Sequence, residues 1–148
     1  SVKLFAGGSR LSASGLEAVK NVKAVAVGDW NNDGLNDLCL LAGGKPLLYR
    51  NTGGKFVKAQ ADVPDEIFEA AIWLDYDHDY DNDLFLIGAN SRLLRNQGEA
   101  GFVDRTQDFP FLRGVATGAV AYRLIADGQG TDLLISGCAV PGPALRPV

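Results

Sequence analysis

Short apolar runs alternate along the chain with clusters of Gly, Asn and Asp, the signature of strands punctuated by turns. Ala24–Val27, Leu38–Ala42, Pro46–Arg50 and Phe56–Ala59 predict four strands, a to d. Gly43-Gly44 turns b into c, and Thr52-Gly53-Gly54 turns c into d. The same series then recurs. Ala24-Val25-Ala26-Val27-Gly28-Asp29-Trp30 parallels Ala70-Ala71-Ile72-Trp73-Leu74-Asp75-Tyr76, and Asp37-Leu38-Cys39-Leu40-Leu41 parallels Asp83-Leu84-Phe85-Leu86-Ile87. The offset between Asp29 and Asp75 is 46 residues. A third copy runs from Gly118-Ala119-Val120-Ala121 to Asp132-Leu133-Leu134-Ile135-Ser136-Gly137. No segment carries a helical period, although Asp65–Ala71 could form one helical turn between units.

Four strands in about 40–50 residues is the period of a propeller blade. Val2–Ala6 and Arg10–Ala13, flanking Gly7-Gly8, read as strands c and d of an earlier blade. The third copy ends after strand b in Ala139-Val140-Pro141-Gly142-Pro143, which cannot continue a sheet. The expected fold is therefore all-β: β-propeller blades of four antiparallel strands, about three blades' worth in the order cd–abcd–abcd–ab. The expected division is a split blade over 1–16, full blades over 17–62 and 63–110, strands a and b of a split blade over 111–138, and a Pro-rich tail over 139–148. Three blades are too few to close a ring by themselves. The segment could belong to a longer propeller, two copies could close a six-bladed ring as a homodimer, or the arc could stay open on a partner. The first two are favoured because open strand edges invite aggregation.

Charge sharpens this picture. The chain of 148 residues carries a net charge of −4. Asp29, Asp33, Asp37, Asp75, Asp77, Asp79, Asp81 and Asp83 crowd into two short loops, and without these eight the remainder would carry +4. Like charges this dense repel unless neutralised, and two divalent cations would bring the total to zero. Basic residues are scattered without a Lys/Arg run, so a nucleic-acid partner is not expected. No apolar run is long enough to span a membrane, and the first residues lack the apolar core of a signal peptide. The chain is thus either mature or cut from something larger. The two cysteines, Cys39 and Cys138, lie in or just after apolar runs. Buried small hydrophobes are favoured over a disulfide or an interchain bond.

Both loops place oxygen side chains at relative positions 1, 3, 5 and 9. In the first these are Asp29, Asn31, Asp33 and Asp37, with Gly34 at position 6 and the Leu35 carbonyl available at position 7. In the second they are Asp75, Asp77, Asp79 and Asp83, with the Asp81 carbonyl at position 7. Calcium takes about six to eight oxygens from a flexible cage, which such alternation supplies. An EF-hand begins alike but needs Glu at position 12 and flanking helices. Leu40 and Leu86 stand there instead, inside apolar runs. The competing reading is that these clusters are ordinary turns. Recurrence of the same four positions argues against it.

The segment Asp29 to Leu38, its copy Asp75 to Leu84, and Leu48-Tyr49-Arg50-Asn51-Thr52-Gly53-Gly54-Lys55-Phe56 resemble the FG-GAP / VCBS-type repeats of integrin-α-like propellers. That resemblance, over about residues 20–137, implies calcium held between strands a and b of each blade. Two departures stand out. Tyr80 replaces Gly in the second loop, which implies backbone strain but not loss of the metal. Around Arg123–Asp132 only Asp132, at position 9, survives, so no metal is expected there, with Gly128 and Gly130 making an ordinary turn.

The remaining residues point to no catalyst. His78 is the single histidine and reads as a solvent-exposed loop residue, so a nucleophile–His apparatus has little to draw on. Glu66, Glu69 and Glu99 read as isolated surface charges. Trp30 and Tyr76 share a loop position that suits packing between blades better than sugar stacking. Arg50-Asn51 and Arg95-Asn96 recur and read as turn geometry. The expected function is a non-enzymatic, calcium-stabilised module with two Ca2+ ions, binding a protein or glycan in an extracellular, cell-surface or periplasmic setting. The alternatives are a propeller-scaffold lyase or hydrolase with calcium assisting catalysis, and a structural subunit closing a dimeric ring.

Overall fold

The computed structural model describes residues 2–108, 115–122 and 132–138. It is all-β. Strands β1 (Leu4–Ala6) and β2 (Ser9–Leu11) form a hairpin. One four-stranded sheet holds β3 (Val22–Gly28), β4 (Asp37–Ala42), β5 (Lys45–Asn51) and β6 (Phe56–Lys58). The other holds β7 (Ala70–Leu74), β8 (Asp83–Ile87), β9 (Arg92–Asn96) and β10 (Phe102–Asp104). A last hairpin pairs β11 (Val115–Tyr122) with β12 (Asp132–Cys138). Every pairing is antiparallel and joins strands consecutive in sequence, the meander of a propeller blade.

The turns follow from glycine. Gly43 and Gly44 both have positive φ, 62° and 92°, closing the two-residue β4–β5 hairpin between Ala42 and Lys45. That turn type needs left-handed backbone at both central positions. Gly7 and Gly8 close the β1–β2 hairpin in the same way.

Sheets stack because their central strands are apolar on both faces. In β4, Leu38 and Leu40 point to one side, into a cluster with Leu16, Val19, Tyr49 and Phe56. Cys39 and Leu41 point to the other and meet Leu84 and Leu86 of β8 around Phe68. Phe85 and Ile87 of β8 then face Ala116 and the apolar side of β11–β12. The innermost strands follow in succession, β3 against β7 and β7 against β11. Gly28 carries no side chain, and a Cβ there would lie 2.7 Å from the Trp73 ring, so the close approach of the two sheets depends on its absence.

Several expectations shift. Most strands of the first sheet extend one or two residues beyond the apolar runs. The ladder pairs Gly28 with Asp37 and Asn51 with Phe56, and polar residues there hid the strand ends. The edge strands are shorter than expected, with β6 ending at Lys58 and the first hairpin spanning Leu4–Ala6 and Ser9–Leu11. β11 starts at Val115, ahead of the expected Gly118. Asp65–Ala71 forms no helical turn. The Phe68 N–H donates to the Gly44 carbonyl at 2.9 Å and the Glu69 N–H to the Ile87 carbonyl at 2.6 Å, which holds the segment extended and seats the fully buried Phe68 between sheets. Single 3-10 turns occur instead at Gly98–Ala100 and Thr106–Asp108. Cys39 is free and fully buried, the small-hydrophobe role expected of it. Burial pushes its thiol up to about 12. The side chain of Cys138, the third loop and the Pro-rich tail lie outside the described residues.

Because Phe68 fills the seam between the two complete sheets, Phe68→Ala is expected to cost about 3–5 kcal/mol. Urea unfolding of the variant, read by circular dichroism, checks this.

Candidate metal loops and their surroundings

Loop 1 (29–37) joins β3 to β4 and loop 2 (75–83) joins β7 to β8. Both fold alike, and the reason is local. The position-1 carboxylate turns back and accepts backbone N–H groups. Asp29 accepts from Asp33 at 3.2 Å and from Gly34 at 2.8 Å. Asp75 accepts from Asp79 and Tyr80, each at 3.1 Å. The position-5 carboxylate accepts from position 7: Leu35 to Asp33 at 2.9 Å, and Asp81 to Asp79 at 3.0 Å. Positions 4 and 6 take left-handed backbone in both loops. Asn32 and His78 have φ of 55° and 62°, and Gly34 and Tyr80 have 83° and 71°. Tyr80 therefore adopts the strained conformation that its replacement of glycine implied, with its ring in solvent. His78 is exposed, as expected.

The position-9 carboxylates differ from the rest in being fully buried. Asp37 and Asp83 each have 0% exposure. The Asp37 carboxylate accepts the Asn51 N–H at 2.7 Å and the Trp30 N–H at 3.4 Å. That of Asp83 accepts the Asn96 N–H at 2.8 Å and the Tyr76 N–H at 3.1 Å. Burial outweighs these donors, pushing Asp83 up to about 6 and raising Asp37 above the usual carboxylate range. Asp33 and Asp79 move the opposite way. Each is held low first by its backbone N–H bond, from Leu35 and Asp81 respectively.

Loop 2 draws ligand oxygens of Asp75, Asp77 and Asp83 within 4.8 Å of one another. Among the described residues this is the one trio of His, Cys, Asp or Glu groups so gathered, and Asp29, Asp33 and Asp37 do not reach that spacing in loop 1. Asp79, the fourth expected side-chain ligand, lies outside the trio. It accepts a bond from the Arg95 guanidinium at 2.9 Å, while Arg95 Nε lies 2.7 Å from Asp77. In loop 1, Arg50 sits 3.4 Å from Asp33, whose carboxylate also accepts from the Asn31 amide at 3.0 Å. Leu35 is partly exposed on the outside of loop 1. The side chain of Asp81 accepts a bond from Asn32.

Reading the repeat as turn geometry was right for the asparagines. Asn51 accepts N–H bonds from Gly53 and Gly54, and Asn96 from Gly98. It missed the arginines, which bring positive charge to the loop carboxylates. Their recurrence beside the same Asn was the available signal. Glu66 is not isolated, since it pairs with Arg92 at 2.7 Å. Trp30 packs between the sheets, 5.6 Å from Trp73 and edge-on to Phe102. Tyr76 packs in the next seam and donates its hydroxyl to Asp108. Beside Trp30 a cleft of about 600 Å³ opens, with Asn31, Arg50, Gln60, Asn96 and Phe102 on its walls.

Stacked antiparallel meanders whose a–b bends carry matching aspartate loops define a propeller-like repeat module. Residues 29–86, from the first aspartate of loop 1 into β8, match the family model of the FG-GAP-like repeat. Over that stretch the chain is similar to the FG-GAP-like repeat. No curated protein and no solved structure matches the chain. Among the described residues no helix is long and apolar enough to cross a membrane.

Two outcomes follow from the loop geometry. Left-handed backbone costs a side-chain-bearing residue about 1 kcal/mol or more, so Tyr80→Gly is expected to stabilise the chelated protein by about 1 kcal/mol and Gly34→Ala to destabilise it by a similar amount. Urea unfolding of both variants tests the pair. Asp83 binds its proton more tightly folded, at about 6, than unfolded, at about 3.9. Its contribution to stability therefore falls as pH rises between those values, by roughly 2–3 kcal/mol without metal. The stability difference between wild type and Asp83→Asn, followed over that range in chelator, should show this slope. A difference independent of pH would refute it.

Proposed function

We propose that this chain is a calcium-stabilised, propeller-like binding module that holds two Ca2+ ions. Loop 1 would use the side chains of Asp29, Asn31, Asp33 and Asp37 with the Leu35 carbonyl. Loop 2 would use Asp75, Asp77, Asp79 and Asp83 with the Asp81 carbonyl. The observation that carries the reading is the gathering of Asp75, Asp77 and Asp83 around one point at the bend, with Asp83 fully buried. The donors are all oxygens and mostly carboxylate, which suits a hard cation of calcium's size. In loop 2, Arg95 would yield part of its hold on Asp77 and Asp79 as the ion took over the neutralising charge. The calcium would be structural, adding stability because it binds the folded loops and not the unfolded chain.

Binding of a protein or glycan partner would then fall to loops that vary between blades. The cleft beside Trp30 offers an aromatic wall, three amides and a guanidinium for such contact. Loops of weak, millimolar-range affinity suit extracellular, cell-surface or periplasmic calcium.

Thermal unfolding in calcium against chelator tests the proposal. At a hundredfold excess over Kd, calcium should contribute about 2.7 kcal/mol per site, raising Tm by about 5–10 °C for each site filled. Asp75→Asn should remove a large part of that gain and change Tm little in chelator. Equal Tm values with and without calcium would rule the role out.

A further inference from the structure

The two loops touch each other, and the contacts run in both directions. The Asn82 side-chain amide, at position 8 of loop 2, donates to the backbone carbonyl of Asp29 at 2.6 Å. The Asn96 amide donates to the carbonyl of Trp30 at 2.6 Å and to that of Asn82 at 3.1 Å. In return Asn32, at position 4 of loop 1, donates to the Asp81 carboxylate at 2.7 Å. Asn96 is only 2% exposed, and its own N–H is one of the two backbone donors that hold the buried Asp83 carboxylate. An unbroken path therefore leads from the position-9 carboxylate of loop 2, through Asn96, to the backbone at position 2 of loop 1, while Asn82, next to Asp83 in the chain, reaches the backbone at position 1.

We infer that loops 1 and 2 bind calcium as a coupled pair, with Asn82, Asn96 and Asn32 as the positioning residues that carry the coupling. The inference rests on the calcium reading above. Metal in loop 2 fixes Asp83 and the 81–83 backbone. Asn96 and Asn82 are thereby fixed in turn, and they hold the Asp29–Trp30 backbone where the Asp29 carboxylate must stand to serve loop 1. Part of the ordering cost of the second site is thus met by the first, the condition for positive cooperativity without a large change of shape. Binding linkage requires the effect to be equal in both directions. Position 8 is Asn36 in loop 1, Asn82 in loop 2 and Thr131 in the third copy, and it is Asn82 that reaches back to the preceding blade.

Calorimetric titration of the full chain with calcium tests this through a cycle of variants. Disabling loop 2 with Asp75→Asn plus Asp77→Asn should weaken loop 1 by about tenfold. Disabling loop 1 with Asp29→Asn plus Asp33→Asn should weaken loop 2 by the same factor. In an Asn32→Ala, Asn82→Ala, Asn96→Ala background, which removes all three bridging amides, the loops should become independent, so that disabling one leaves the other's affinity unchanged. Asn36→Ala, the matched position with no partner loop among the described residues, should leave the coupling intact. The reciprocal comparison needs no asparagine variant and so stands even if that background folds poorly. Two sites that bind calcium but ignore each other's loss would overturn the coupling and leave the calcium reading standing. A chain that binds no calcium at all would overturn both.

Discussion

Everything in this structure turns on two carboxylates, Asp37 and Asp83, placed with no solvent exposure at the first residue of a central strand. A buried charge is costly unless it is compensated. Each is met by backbone N–H groups from two directions, its own loop and the neighbouring strand, and burial still raises both toward the neutral form. The chain places further carboxylates around each of them. That arrangement is adverse for a protein alone and favourable for one that holds a hard cation.

The same constraint links local loop structure to blade packing. The position-9 aspartate ties the a–b bend to the end of strand c through the N–H of Asn51 or Asn96. Those asparagines also shape the c–d turn through their side-chain oxygens. One end of each sheet is therefore organised around a single carboxylate. Beneath it the sheets stack on strands that are apolar on both faces, with Cys39, Leu41, Leu84 and Leu86 filling one seam and Phe85 and Ile87 the next. Where two such ends lie side by side, Asn82 and Asn96 join them across the seam.

Much of this was legible in the residue order because it is local and repeated. Loop residues at positions 1, 3, 5 and 9, glycine pairs at hairpins and the 46-residue offset specify the strands and the shared loop conformation, including the left-handed backbone at Tyr80. What escaped depends on contacts between distant residues. Asp65–Ala71 carries helix-compatible residues, yet its conformation is decided by Phe68 entering the seam and by bonds to Gly44 and Ile87. The ion pairs of Arg95 with Asp77 and Asp79 and the reach of Asn82 to Asp29 join residues that only the stacked sheets bring together. The strand ends at Asp37 and Asn51 were obscured because polar residues occupy ladder positions there.

A crystal structure grown in calcium, with anomalous scattering used to identify the bound ion, tests the central claim most directly. The account predicts an ion within each of the two bends, bonded to carboxylate oxygens that include Asp37 in one and Asp83 in the other. Empty bends at saturating calcium, with Arg50 and Arg95 still neutralising the loops, would contradict it.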